Sequence, residues 1–93
     1  MFVGIVRIEL HIPAERSLKD KRQVVRSLKD RIREHTRAAV AEVDHQDLWQ
    51  RAALGVAVVA PDVTQARQLL QSVRRIVEQQ WAAELTDWQE KIE

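Results

Sequence analysis

The chain has 93 residues, enough for one domain spanning residues 1–93 and too few for a two-domain enzyme with a large cofactor cleft. Hydrophobic residues make up 45% and charged residues 31%, which is typical of a folded protein rather than a disordered one. The absence of cysteine excludes disulfides, thiolate metal sites and cysteine nucleophiles. Since no apolar run approaches the roughly 20 residues of a membrane span, and no signal-peptide pattern opens the chain, we expect a soluble cytoplasmic protein without membrane contact.

Charge is unevenly distributed, although the net charge is only +1. Residues 17–37 carry eight basic and three acidic side chains, so this segment has a charge of +5 and the rest of the chain −4. A cationic segment on an otherwise acidic chain is typical of a surface that binds polyanions, and equally of a solvated helix face.

The first predicted element is a β-strand over residues 2–12. Its side chains alternate with a period of two, and the even-numbered positions are apolar or glycine throughout. Pro13 ends the strand because its nitrogen cannot donate to a β-ladder.

A helix is predicted from the N-cap residue Ser17 to about His35. The Ser17 hydroxyl can accept a hydrogen bond from the backbone N–H of Asp20, and a carboxylate is favourable in the first turn. Apolar side chains recur at helical spacing at Leu18, Val25, Leu28 and Ile32, with Val24 beside them.

Residues 38–44 then predict a short strand, and residues 45–50 a polar connection. The β-branched, apolar run 53–60 predicts a central strand. These two strands and their connection form a predicted hairpin.

Pro61 ends that strand, and Asp62 with Gln65 resembles a capping box at the start of a second helix. The core side of this helix is predicted to contain Ala66, Leu69, Leu70, Val73, Ile76 and Val77. Residues 81–93 are compatible with a continued helix or a strand. Alternation at Trp81, Ala83 and Leu85 favours the strand, in which Trp81 and Trp88 take opposite sides, one in the core and one at an interface.

The resulting order, β-α-β-β-α-β, predicts an α+β fold. Two split βαβ units form a ferredoxin-like sandwich with an antiparallel sheet. Right-handed crossovers place both helices on one face, leaving the other face open.

Six cations form a stripe on the first helix. At about 100° per residue they fall within a sector about 80° wide. We call this set the basic stripe: Lys19, Arg22, Arg26, Lys29, Arg33 and Arg37. Like charges at these spacings repel by a few tenths of a kcal/mol per pair, which helix stability alone does not favour. The stripe is interpreted either as a ridge that follows RNA or DNA phosphates or as a solvated face.

The 41–51 hairpin concentrates polar and aromatic side chains. Its candidate recognition residues are Asp44, His45, Asp47, Trp49 and Arg51. Because Trp and Arg dominate interface energetics, the segment is interpreted as a recognition loop. The alternative is a turn whose polar side chains only form hydrogen bonds within the hairpin. A metal site at Asp44, His45 and Asp47 is disfavoured because neighbouring strand residues point to opposite faces.

The predicted open face carries Val3, Ile5, Arg7, Glu9 and His11, with the small residues Gly55 and Ala57 beside them. It lacks the paired aromatic residues on which RNA-recognition motifs stack bases. Such a partly apolar face suits packing against a second copy of the chain.

These segments resemble a known family. LHIP at 10–13, SLKDKR at 17–22, VVRSL at 24–28, AEVDHQDLWQRA at 41–52 and GVAVV at 55–59 are similar to the YlxP-like bacterial family, a domain of unknown function. The resemblance covers residues 2–80 and implies a ferredoxin-like fold. It also implies an association with RNA or ribosomes, because genes of the family often neighbour those for transcription-elongation, translation-initiation and ribosome-assembly factors. It implies no catalytic residues.

Without a glycine-rich phosphate loop, a nucleophile elbow or an evident nucleophile, we expect a non-enzymatic protein with no metal or other cofactor. The leading hypothesis is an RNA- or ribosome-binding module that contacts ribosomal RNA or the small subunit through the basic stripe and the hairpin. The alternative is a homodimeric protein-interaction module that uses the open face. An enzyme or metal protein using His11, Asp44, His45 and Asp47 is the third hypothesis.

Overall fold

A computed structural model describes residues 1–13 and 17–93, and its element order is the predicted one. The elements are β1 (Phe2–His11), α1 (Leu18–Thr36), β2 (Ala39–Asp44), β3 (Arg51–Ala60), α2 (Val63–Gln79) and β4 (Glu84–Ile92). All strand pairs are antiparallel, in the order β2-β3-β1-β4, and both helices pack on one face of the sheet. The ferredoxin-like prediction is therefore confirmed.

The core lies between the sheet and the helices, as the alternation in β1 predicts. Val6, Ile8, Leu10 and Ile12 are at most 2% exposed. They pack with apolar residues of β3 and both helices in one cluster. The odd-numbered residues of β1 lie on the open face.

Neither α1 nor α2 is long and apolar enough to cross a membrane, and the described part of the chain has no other helix.

The predicted helix caps are present. Ser17 Oγ accepts from the N–H of Asp20 at 3.2 Å, and Asp62 Oδ1 accepts from the N–H of Gln65 at 2.8 Å. At the other end of α1, Arg37 adopts a left-handed conformation with φ 56°. The helix therefore ends at Thr36, one residue beyond the predicted end.

The C-terminal segment is a strand, and it begins three residues after Trp81 rather than at it. Trp81 lies in the preceding turn and is 89% exposed. Trp88 packs against the core on the helix side of β4, where the Arg74 guanidinium lies 5.2 Å from its ring centroid. Trp88 is therefore the tryptophan that packs against the core, whereas Trp81 lies outside the strand, so the predicted opposition of the two along one strand is wrong. The interface predicted for the second tryptophan stays a prediction.

Candidate nucleic-acid interface

The basic stripe lies on the side of α1 that is next to the edge strand β2. Arg33 Nη2 donates to the Val40 carbonyl of β2 at 2.9 Å. Arg31, on the other side of the helix, approaches Gln79 of α2 at 3.4 Å. The stripe therefore lies on the outer side of α1 and not in the cleft between the two helices.

Three cations of the stripe are available in the first half of α1. Lys19, Arg22 and Arg26 are exposed. With Gln23 they line a shallow surface groove of about 190 Å³. None of the three forms an ion pair with a residue in 1–13 or 17–93. Three like charges without a described counter-charge favour binding of a polyanion.

The second half of the stripe differs from the prediction. Lys29 is half-buried, and Arg33 is held by Val40 and lies 3.8 Å from the Asp30 carboxylate. Arg37 caps the helix in a left-handed conformation, so the helical-wheel position predicted for it is wrong. The wheel assumes a continuous helix, and α1 has already ended at Thr36.

Lys21 joins the start of α1 to the 41–51 hairpin. Its side chain is 1% exposed, and its Nζ donates to the His45 carbonyl at 2.6 Å. The same Nζ lies 2.7 Å from Glu42 Oε2, a buried oxygen with no other partner in the described structure. The two segments singled out in the sequence are therefore parts of one surface.

Sequence reasoning did not place Lys21 in the core. The signal was its spacing, since Lys21, Val25, Leu28 and Ile32 recur at intervals of four, three and four on one side of the helix. A lysine among apolar core positions needs a partner, and Glu42 is the half-buried carboxylate on β2 that provides it.

His45 turns its ring back onto the open face. Its φ is 63°, its Nε2 lies 3.2 Å from Glu9 Oε2, and its Nδ1 lies 3.7 Å from Asp44 Oδ1. The prediction that Asp44 and His45 point to opposite faces is therefore wrong. Period-two alternation stops at Asp44, where β2 ends.

Arg7 connects this arrangement across the sheet. Its Nη2 lies 2.9 Å from Glu9 and 3.1 Å from Asp44. The pKa of Arg7 is raised, first by the hydrogen bond to Glu9 and then by that to Asp44. Arg51 Nη2 lies 3.2 Å from His45 Nε2. We call Arg7, Glu9, Asp44, His45 and Arg51 the polar cluster.

The hairpin residues thus divide into two groups. Asp44, His45 and Arg51 belong to the polar cluster and stabilise the end of the sheet. Asp47 and Trp49 are at the exposed tip, where Trp49 retains 45% of its accessible surface. This second group lies outside the polar cluster and is exposed to solvent.

The metal-binding form of the third hypothesis gains no support from the geometry. No group of three potential metal ligands converges among the residues that the structure describes. Asp44 and His45 are engaged within the polar cluster, and Asp47 is exposed at the tip. His11 Nδ1 lies 3.4 Å from Glu84 instead, on the neighbouring strand.

The candidate groups collect at one end of the molecule. His11, at the end of β1, is paired with the first residues of β3 and β4. The hairpin precedes β3, the turn containing Trp81 precedes β4, and α1 begins beside the hairpin through Lys21. Exposed cations without an ion pair to any described residue and exposed aromatic residues therefore occupy the same end.

Fold and site together define a ferredoxin-like α+β sandwich with a basic first helix locked to the β2–β3 hairpin. Residues 3–90 match the profile of the family described as "Protein of unknown function (DUF503)". The chain is 30% identical over 76 residues to the uncharacterized protein YlxP of Bacillus subtilis, covering 82% of this chain and 83% of the relative. The chain belongs to the YlxP-like DUF503 family.

Solved structures show the same fold at low sequence identity. A structural-genomics protein, YJCS, has a TM-score of 0.56 at 8% identity, with 96% of each chain covered. A de novo designed ferredoxin-fold protein has a TM-score of 0.53 at 15% identity, covering 99% of this chain and 85% of the design. A C-terminal segment of the alpha subunit of aIF2 from Pyrococcus abyssi has a TM-score of 0.51 at 14% identity, over 97% of this chain and 49% of that one.

Proposed function

We propose that the protein is a non-enzymatic module that binds RNA through the first half of α1 and the tip of the 41–51 hairpin. The observation that carries this proposal is the contact of Lys21 with the His45 carbonyl at 2.6 Å. It fixes the hairpin beside Lys19 and Arg22, which flank Lys21 in sequence and are exposed. The exposed cations and the hairpin that carries Trp49 are thereby held next to each other.

The chemistry of this surface favours single-stranded RNA. Phosphates supply the charge that Lys19, Arg22 and Arg26 can neutralise. Trp49 offers a ring on which an unpaired base can stack, an interaction worth about 1–3 kcal/mol per base. Base pairs in a duplex are already stacked and cannot use it in this way. The open face contributes no aromatic platform, so binding differs from that of an RNA-recognition motif.

Ribosomal RNA of the small subunit is the proposed source of that RNA. The resemblance to a family whose genes neighbour translation-initiation and ribosome-assembly factors supports this choice. The exposed cations support it too, because ribosomal RNA offers a dense array of phosphates in single-stranded loops.

Fluorescence anisotropy with a labelled single-stranded RNA tests the proposal. Three phosphate contacts predict a roughly 20-fold loss of affinity between 50 and 200 mM salt, from a slope of about −0.7 per contact on single strands. Arg22→Glu combined with Arg26→Glu is expected to abolish measurable binding. Both residues are exposed on α1, so the variant is expected to stay folded.

The matched control is Arg67→Glu with Arg75→Glu, which makes the same change in net charge on exposed positions of α2. This control is expected to retain most of the affinity. An equal loss in both variants would show a non-specific effect of net charge and would contradict the proposed interface.

A further inference from the structure

The open face carries an apolar patch that the polar cluster does not cover. Val59 is 64% exposed, Val43 45% and Ile5 42%. Val59 is paired with Val3 and Ile5 with Ala57 across β1 and β3, so these side chains are neighbours on one face. Exposed apolar residues in contiguous patches mark interaction surfaces.

A hollow lies beside these side chains because the adjoining positions are small. Its volume is about 280 Å³, and its lining includes Ile5, Ala39, Ala41, Val43, Gly55 and Ala57. The absence of a side chain at Gly55 leaves room for Val43, since a Cβ at this position would lie 2.8 Å from Val43 Cγ1. The face therefore has both a protruding side chain and a depression.

The distance between the protruding Val59 side chain and the hollow makes the face self-complementary. Val59 lies four residues from Gly55 on β3, a distance of about 13 Å. A two-fold axis in the plane of the interface, crossing the strands at Ala57, places Val59 of each copy above the hollow of the other. Such an isologous arrangement is the usual symmetry of homodimers.

We infer that two copies of the chain pack face to face through the open sheet face, with Val59 of each copy seated in the hollow of the other. This dimer does not depend on the proposed RNA binding. The basic stripe is on α1, in the helical layer behind the sheet, and stays exposed in both copies.

Burial of this face leaves its nearest charges paired. Arg7 is within 3.1 Å of both Glu9 and Asp44. Lys91, the neighbour of Ile5 on β4, lies 2.7 Å from Glu93, so both cations enter the interface with carboxylate partners. Paired charges avoid the cost of a buried unpaired ion.

The alternative of pairing through the β2 edge is disfavoured. The Val40 carbonyl accepts from Arg33 at 2.9 Å, and the Glu42 carbonyl accepts from Gln46 Nε2 at 3.4 Å. Both carbonyls are therefore occupied by side chains of the same copy. Side chains that occupy an edge in this way protect it from pairing with another strand.

The area of the face is sufficient for a modest dimer. Four strands at about 4.8 Å spacing and about eight residues of overlap give roughly 500 Å² per copy. The total of roughly 1,000 Å² reaches the lower bound expected for a specific interface. We therefore expect a dimer at micromolar concentrations, not an obligate one.

Sedimentation-velocity ultracentrifugation of the full chain between 2 and about 200 µM tests the inference. The unaltered protein is expected to shift from monomer to dimer over this range, which corresponds to a dissociation constant in the micromolar regime. Val59→Glu is expected to raise that constant at least tenfold. Gln71→Glu, an exposed position on α2 with the same charge change, is the control and is expected to dimerise normally.

Ala41→Leu distinguishes seating in the hollow from non-specific adhesion. The variant adds apolar surface, so adhesion predicts a tighter dimer, whereas filling the hollow predicts a weaker one. Circular dichroism melts verify that each variant is folded. A protein that stays monomeric throughout, a dimer unaffected by Val59→Glu, or a tighter dimer with Ala41→Leu would overturn the inference.

Discussion

Asp44 fixes the start of the hairpin by accepting hydrogen bonds from two directions. The backbone N–H of His45 donates to it at 2.8 Å, and Arg7 donates to it at 3.1 Å. The pKa of Asp44 is consequently lowered from its ordinary value of 3.8, mainly by the His45 N–H and then by Arg7. The ionised carboxylate is the form that the folded protein prefers.

This preference gives a testable pH dependence. Because the folded pKa is lowered, the stabilisation from Asp44 is complete above about pH 4 and is lost as pH falls through the folded pKa. Asp44→Asn is expected to lower the free energy of unfolding at pH 6, and the difference from the unaltered protein is expected to shrink toward pH 3. Urea unfolding at several pH values measures both quantities.

Asp47→Asn is the matched control, since Asp47 is exposed in the same hairpin and contacts no cation of the described residues. It is expected to follow the unaltered protein throughout. A difference for Asp44→Asn that does not change with pH would contradict the role assigned to the ionised carboxylate.

At the scale of elements, the sequence predicted each strand and helix because local signals agree with the fold. Alternation in β1, the Ser17 cap and the break at Pro61 are all readable along the chain. The stripe was only partly predictable, because its last member follows the helix end and Arg33 contacts β2. Such contacts depend on how elements pack, which periodicity does not report.

The contact between α1 and the hairpin likewise could not be predicted from hydrophobic periodicity. Lys21 and Glu42 are 21 residues apart, and their pairing follows from the packing of α1 over β2. The left-handed conformation of His45 also has no local signature in its residue type comparable to a glycine. The sequence therefore showed that polar residues are concentrated in the hairpin, but it did not show that they contact one another.

Loss of the Lys21 amino group is expected to be costly. Lys21→Met leaves the Glu42 carboxylate buried without its cation and the His45 carbonyl without its donor. Removing one partner of a buried ion pair costs about 3 kcal/mol, which we expect to appear in urea unfolding. Lys29→Met, a half-buried position of the same helix, is expected to change stability by less than about 0.5 kcal/mol.

The double variant Lys21→Met with Glu42→Met isolates the pair. It removes both charges and is expected to be more stable than Lys21→Met alone, because no unpaired carboxylate remains. A Lys21→Met protein as stable as the unaltered one would contradict the locking role.

In the whole molecule, the proposed dimer surface and the proposed RNA-binding surface lie on different layers. The sheet layer presents the self-complementary open face, and the helical layer presents the basic stripe. Dimerisation through apolar contacts is expected to persist at high salt, whereas RNA binding through phosphates is expected to weaken. The two properties can therefore be measured independently in one preparation.

The most direct test of the central proposal is co-sedimentation of the protein with bacterial small ribosomal subunits at low and at elevated salt. We predict saturable binding that weakens with salt, is lost when Arg22 and Arg26 are both changed to Glu, and is retained when Arg67 and Arg75 are changed to Glu. Absence of binding at low salt, or normal binding by the folded Arg22 and Arg26 variant, would contradict the account.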